Sequence, residues 1–150
     1  MAYCDVTFAD QYLTASAFSS GWESLDSDTK TKYLETASRL LHRFCFFYDE
    51  NTGEPFRYDT DAQESEIPDF LRDATCEEAL YLVNLGKDPT QADKKTTLGI
   101  LSTDGTVFSK SFAADVICIM AQTIVTENGG DIMYGAVASQ KRISFGSFEK

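Results

Sequence analysis

The sequence predicts a mainly α-helical domain: a small bundle of about four helices with one β-hairpin excursion and an extended C-terminal arm. Three observations carry that prediction. Four segments repeat apolar residues at helical spacing between capping and stop signals. One stretch switches to strand-like patterning around Asp104-Gly105, the strongest short hairpin signal in a sequence. The last twenty residues hold apolar side chains too widely spaced for a core of their own.

In chain order, Thr7 and Asp10 form a T-x-x-D opening, a capping-box variant, and Phe8, Tyr12 and Ala15 follow at helical spacing. This first helix should end near Ser19-Ser20-Gly21, with Trp22 in the connection. Asp26-Ser27-Asp28 is an N-cap cluster. Beyond it Tyr33, Leu34, Ala37, Leu40, Leu41, Phe44 and Cys45 draw the clearest amphipathic stripe, predicting a helix over roughly 28–47. Leu40, Leu41 and, later, Leu82 are expected in the core. Residues 49–66 hold seven acids against the single base Arg57, with Gly53 and Pro55, and read as a long exposed loop pinned by Phe56 and Tyr58. Pro68 suits the first turn of a third helix lined by Leu71, Thr75, Ala79 and Leu82, and Gly86 suits its C-terminal stop. The strand-like stretch occupies 98–112. A fourth helix should begin near Ala113, bury Val116, Ile117, Met120 and Ile124 on one face, and stop at Asn128-Gly129-Gly130. Residues 1–130 therefore form the helical domain, and 131–150 the arm.

At 150 residues the chain is one domain on a prior of roughly 150 residues each. Its 13 basic and 24 acidic residues give a formal charge of −11. That disfavours a generic duplex-DNA coat, which needs clustered Lys and Arg against phosphate. Cys4, Cys45, Cys76 and Cys118 are scattered, with no C-x-x-C pair and no second histidine beside His42, so structural zinc is not expected. We read all four as reduced thiols of a protein made in a reducing cytoplasm. Met1-Ala2-Tyr3-Cys4-Asp5 lacks the n-region and h-region of a signal peptide. The longest apolar run, 116–121, is far short of the roughly 20 residues that span a bilayer, so no membrane association is expected.

Chemistry is sought and not found. His42, beside the stripe of the second helix, reads as structural, and a Cys45–His42 dyad lacks the electropositive setting a thiolate needs. The acidic loop lacks the Gly and Glu positions of an EF-hand, so we read it as solvated rather than calcium-binding. Glu77-Glu78 reads as a solvated face. No phosphate-cradling glycine motif is present, and no cofactor is expected. Phe44, Phe46, Phe47 and Tyr48 form an aromatic block too large for one buried face: either Phe44 and one neighbour belong to the core while the others cover the loop, or the block is a subunit interface.

The order of these elements resembles a known family. Lys32 to Arg43, K-Y-L-E-T-A-S-R-L-L-H-R, follows the Thr-capped helix and Trp22; Pro55-Phe56-Arg57, then Ile67-Pro68 opening a helix with Ala74, Cys76-Glu77 and Ala79-Leu80, complete the pattern. Together they are similar to the head–tail adaptor (connector, head-completion) proteins of tailed bacteriophages, some of which are labelled DnaT-like single-stranded DNA-binding proteins. The resemblance covers roughly residues 6–112. Where family members tend to have Gly after the second helix and a Pro-Arg pair after the loop, Asp49-Glu50 and Arg57-Tyr58 stand here. It implies a non-enzymatic virion protein at the head–tail neck. Such a protein is a homo-oligomer, a twelve-subunit ring between the portal protein and a tail or second adaptor (stopper) protein. The genome passes through its lumen without specific binding, which an acidic lining suits. The alternative is a single-stranded DNA-binding accessory protein. On the adaptor reading Phe46, Phe47, Tyr48, Phe56, Tyr58, Val107 and Phe108 are the expected subunit-interface residues. Lys141, Arg142, Ile143, Phe145 and Phe148 of the arm are expected to dock on the portal.

Overall fold

In the computed structural model, residues 1–86, 99–100, 107–108 and 116–133 are described. Their architecture is mainly helical with a small antiparallel sheet, as the sequence predicts. Five helices, α1 (Val6–Leu13), α2 (Ser20–Glu23), α3 (Ser27–Phe44), α4 (Asp69–Leu85) and α5 (Ile119–Glu127), are joined by five short strands: β1 (Cys45–Tyr48), β2 (Pro55–Phe56), β3 (Gly99–Ile100), β4 (Val107–Phe108) and β5 (Asp131–Ile132). A single 3₁₀ turn, Glu64–Glu66, precedes α4.

Helix α4 is the central element, packed against α3 and α5 along most of its length, with α1 and α2 against the remaining faces. Its central position explains why Leu71, Ala74, Thr75, Cys76, Glu78, Ala79, Leu80 and Leu82 are all buried. Leu34, Ala37, Leu40 and Leu41 of α3 complete the core with Trp22, Ile117 and Val125.

Caps explain most boundaries. Asp5, not Thr7, caps α1, its Oδ1 accepting from Phe8 N at 2.7 Å. Asp10 is thereby released for a tertiary role. It accepts from the Trp22 indole at 2.7 Å and from Lys30 Nζ at 2.9 Å, drawing α2 and α3 onto α1. Trp22 lies in the one-turn α2 rather than in a connection, and is buried. At α3, Asp26 accepts from both the backbone N–H and the hydroxyl of Thr29. Pro68 precedes α4 in extended conformation, and Gly86, at φ 66°, ends it in the left-handed region where a Cβ is penalised.

Helix α3 ends at Phe44, earlier than the predicted 47. The β-favouring run Cys45-Phe46-Phe47-Tyr48 leaves the helix to become the middle strand of a sheet ordered β2-β1-β5. Cys45 pairs with Ile132 and Phe46 with Asp131 on one side; Phe47 pairs with Phe56 and Tyr48 with Pro55 on the other. Asp131 and Ile132, the first residues of the expected arm, thus belong to this sheet, and Ile132 is buried. The expected fourth-helix stripe also shifts. Val116 and Ile117 are buried but non-helical, α5 begins at Ile119, and its buried residues are Ala121 and Val125, while Met120 is 55% exposed. Its expected start at Ala113 lies outside the described residues.

The hairpin expected at 98–112 is represented by β3 and β4, where Gly99 pairs with Phe108 and Ile100 with Val107. The expected turn residues Asp104 and Gly105 lie outside those described.

Candidate interaction surface

Of the expected interface residues, Phe46, Phe47, Tyr48, Phe56 and Tyr58 gather at the β1–β2 ribbon, and strand alternation sorts those of β1. Cys45 and Phe47 point into the core, whereas Phe46 is half-buried and Tyr48 is 48% exposed. Phe47 is the hub of an aromatic cluster, with ring centroids 5.0 Å from Tyr58, 5.6 Å from Phe70 and 6.0 Å from Phe56. Phe47 is therefore a core residue rather than a surface one. On the outer face Phe46 and Tyr48 meet edge to face at 5.5 Å. Phe56, 38% exposed, bridges from the cluster to the solvent-facing edge.

The connection between these strands is ordered by its own first residue. Asp49 Oδ1 accepts from the N–H groups of Asn51 at 2.8 Å and Thr52 at 2.9 Å. Its carbonyl accepts from Gly53 N at 2.8 Å, and its N–H donates to the Glu54 carbonyl at 2.9 Å. Hydrogen bonds from Thr52 and Asn51 hold the Asp49 carboxyl below the usual carboxylate range, so it stays ionised. Gly53 takes φ 70°, and Glu50 and Glu54 are exposed. The result is a hydrogen-bonded acidic turn beside Tyr48 and Phe56. The rest of the loop is tied down. The Tyr58 carbonyl accepts from Tyr3 Oη at 2.9 Å and lies 2.9 Å from His42 Nδ1, which the acceptor requires to be the protonated nitrogen. Asp61 pairs with the N-terminal ammonium at 3.1 Å.

His42 therefore staples a loop. The Cys45 thiol is buried, and burial and then the charge of Glu78 push its pKa up to about 12. Among the described residues no three His, Cys, Asp or Glu side chains converge where a metal could bind, and no helix is long and apolar enough to cross a membrane.

Val107 and Phe108 form β4, for which only backbone pairing is described. Lys141, Arg142, Ile143, Phe145 and Phe148 lie outside the described residues. Sequence reasoning passed over the exposed apolar residues Ile119 (77%) and Met133 (43%), and placed the exposed Met120 on a buried face. Met133 Sδ lies 3.5 Å from Arg57 Nη2 at the edge of the same sheet. It also read Glu78 as solvated, whereas Glu78 is fully buried. A signal was present: Glu78 stands four residues after Ala74 and four before Leu82, inside the apolar stripe.

Compared with protein-family models, with curated proteins and with solved structures, the chain matches none.

Proposed function

We propose that the chain is a non-enzymatic structural subunit, a head-to-tail adaptor of a tailed bacteriophage. In this reading copies of it form a ring, twelve-subunit as the resemblance implies, under the portal at the virion neck. The ring hands on to a tail or stopper protein and lines the channel through which the genome passes. The observation that carries the reading is the β1–β2 ribbon, which displays Tyr48 and Phe56 beside the ionised turn of Asp49, Glu50 and Glu54. Aromatic side chains with an acidic rim suit contact with another protein surface. They do not suit single-stranded nucleic acid, where stacking platforms lie in basic grooves. The charge of −11 suits a lumen that DNA slides past.

Electron microscopy of the protein mixed with a portal protein from the same phage, paired with an oligonucleotide titration at two salt concentrations, tests this. The expected result is a portal-bound ring and no salt-sensitive oligonucleotide affinity. Absence of portal binding, together with oligonucleotide binding that weakens as salt rises, would replace the reading with that of a single-stranded DNA-binding accessory protein.

A further inference from the structure

Two of the four cysteines meet in the core. Cys4, just ahead of α1, and Cys76, in the middle of α4, are separated by 72 positions in sequence, yet their sulfurs lie 3.7 Å apart. No other pair of sulfurs among the described residues makes such a contact. The segment holding Cys4 is fixed by the Tyr3 N–H, which donates to the buried Ser38 hydroxyl at 2.8 Å. A disulfide needs a sulfur separation of about 2.05 Å, so about 1.7 Å of approach separates the two thiols from a bond. Cys4 also borders an open groove of about 580 Å³, lined in part by Leu34, Glu35, Ala62, Gln63 and Ile67. Cys4 is 5% exposed where it lines the groove, whereas Cys76 is fully buried.

We propose that Cys4 and Cys76 are a modification site, an intramolecular dithiol that takes a small disulfide of the glutathione class as its oxidant and closes into a Cys4–Cys76 bond. The two thiols have different roles. Its hydrogen bond with Cys4, followed by burial, holds the Cys76 thiol protonated, its pKa raised far above the ordinary value. Cys4, which lines the groove, is the attacking group. Losing its proton as it reacts, its sulfur attacks one sulfur of the small disulfide, whose S–S bond breaks and releases one thiol. The Cys76 sulfur then attacks the Cys4 sulfur of the mixed disulfide and expels the second thiol. Two electrons pass from the protein to the oxidant, and the two thiol protons end on the two released thiols. The bond ties the N-terminal segment to the central helix, and it would form once the protein leaves a reducing compartment. This inference does not depend on the adaptor reading.

The test incubates the full-length protein with a graded ratio of oxidised to reduced glutathione and follows it by intact mass, peptide mapping and thermal unfolding. The expected product has lost two hydrogens and yields a linked peptide containing Cys4 and Cys76. Its unfolding midpoint rises by roughly 10 °C and falls back on reduction with dithiothreitol. Cys76→Ser should stop at a single glutathione on Cys4, and Cys118→Ser should behave as the parent. Adducts confined to Cys118, or retention of all four thiols under the most oxidising ratio, would overturn the proposal; both are read on the parent protein and need no variant to fold.

Discussion

Replacing Glu78 by Gln should abolish the pH dependence of stability that this one side chain imposes. Glu78 is fully buried on α4; its Oε2 accepts from Cys118 N–H at 2.7 Å, at the start of α5, while Oε1 is buried without a partner. Burial pushes its pKa up to about 7 against an ordinary 4.5, the hydrogen bond from Cys118 offsetting only part of the desolvation. The raised pKa fixes the sign. Below about pH 4.5 the acid is protonated whether the chain is folded or not, and nothing is lost. Between 4.5 and 7 the folded protein keeps a proton that the unfolded chain releases, so stability falls as pH rises. Above 7 the full penalty applies, about 3 kcal/mol for a shift of this size. The variant's amide still accepts from Cys118 N–H but buries an unpaired NH₂, a cost of about 1–3 kcal/mol that does not vary with pH. Glu78→Gln should therefore be the less stable protein at pH 5. By pH 8 it should have recovered about 2–3 kcal/mol relative to the parent. Urea unfolding of both proteins across pH 5 to 8 measures this, and the difference between them cancels the common effect of the remaining acids. Parallel stability curves, separated by a constant within about 0.5 kcal/mol, would refute the reasoning.

Leu41, 1% exposed on α3, should cost roughly 2–5 kcal/mol when truncated in Leu41→Ala, read as a lower urea midpoint at unchanged slope. Gly130→Ala should cost about 1–3 kcal/mol, because a Cβ there would meet Val125 Cγ1 at 2.5 Å and Phe47 Cε1 at 2.6 Å, at the passage from α5 into β5; a calorimetric midpoint equal to that of the parent would contradict it. At Asp10 burial alone would raise the pKa, but hydrogen bonds from Lys30 and Trp22 and the Lys30 charge outweigh it and lower it. A lowered pKa stabilises above the ordinary 3.8 and loses that contribution as pH falls, so Asp10→Asn should be destabilising at pH 7 and nearly neutral near pH 2. Tryptophan fluorescence of Trp22 reports both arms.

The sequence by itself determined the helices with local reasons to exist. The α3 stripe from Leu34 to Leu41, the Asp26 cap and the Gly86 stop all act within a few residues of one another, so spacing and cap chemistry place them without knowledge of the rest of the chain. It also singled out the ribbon residues of the candidate surface, because an aromatic block beside an acidic turn is visible in one dimension. What it could not determine depends on partners distant in the chain. Cys45 to Tyr48 continue the helical stripe locally and become a strand because Asp131, Ile132, Pro55 and Phe56 supply the pairing. That pairing sends Phe47 inward and Tyr48 outward, a division no spacing rule contains. Glu78 is buried because α5 closes over α4, and Cys4 meets Cys76 because α1 packs on the same helix. Sequence periodicity describes a face, and only the packing of α4 among its neighbours decides which groups on that face lose their water.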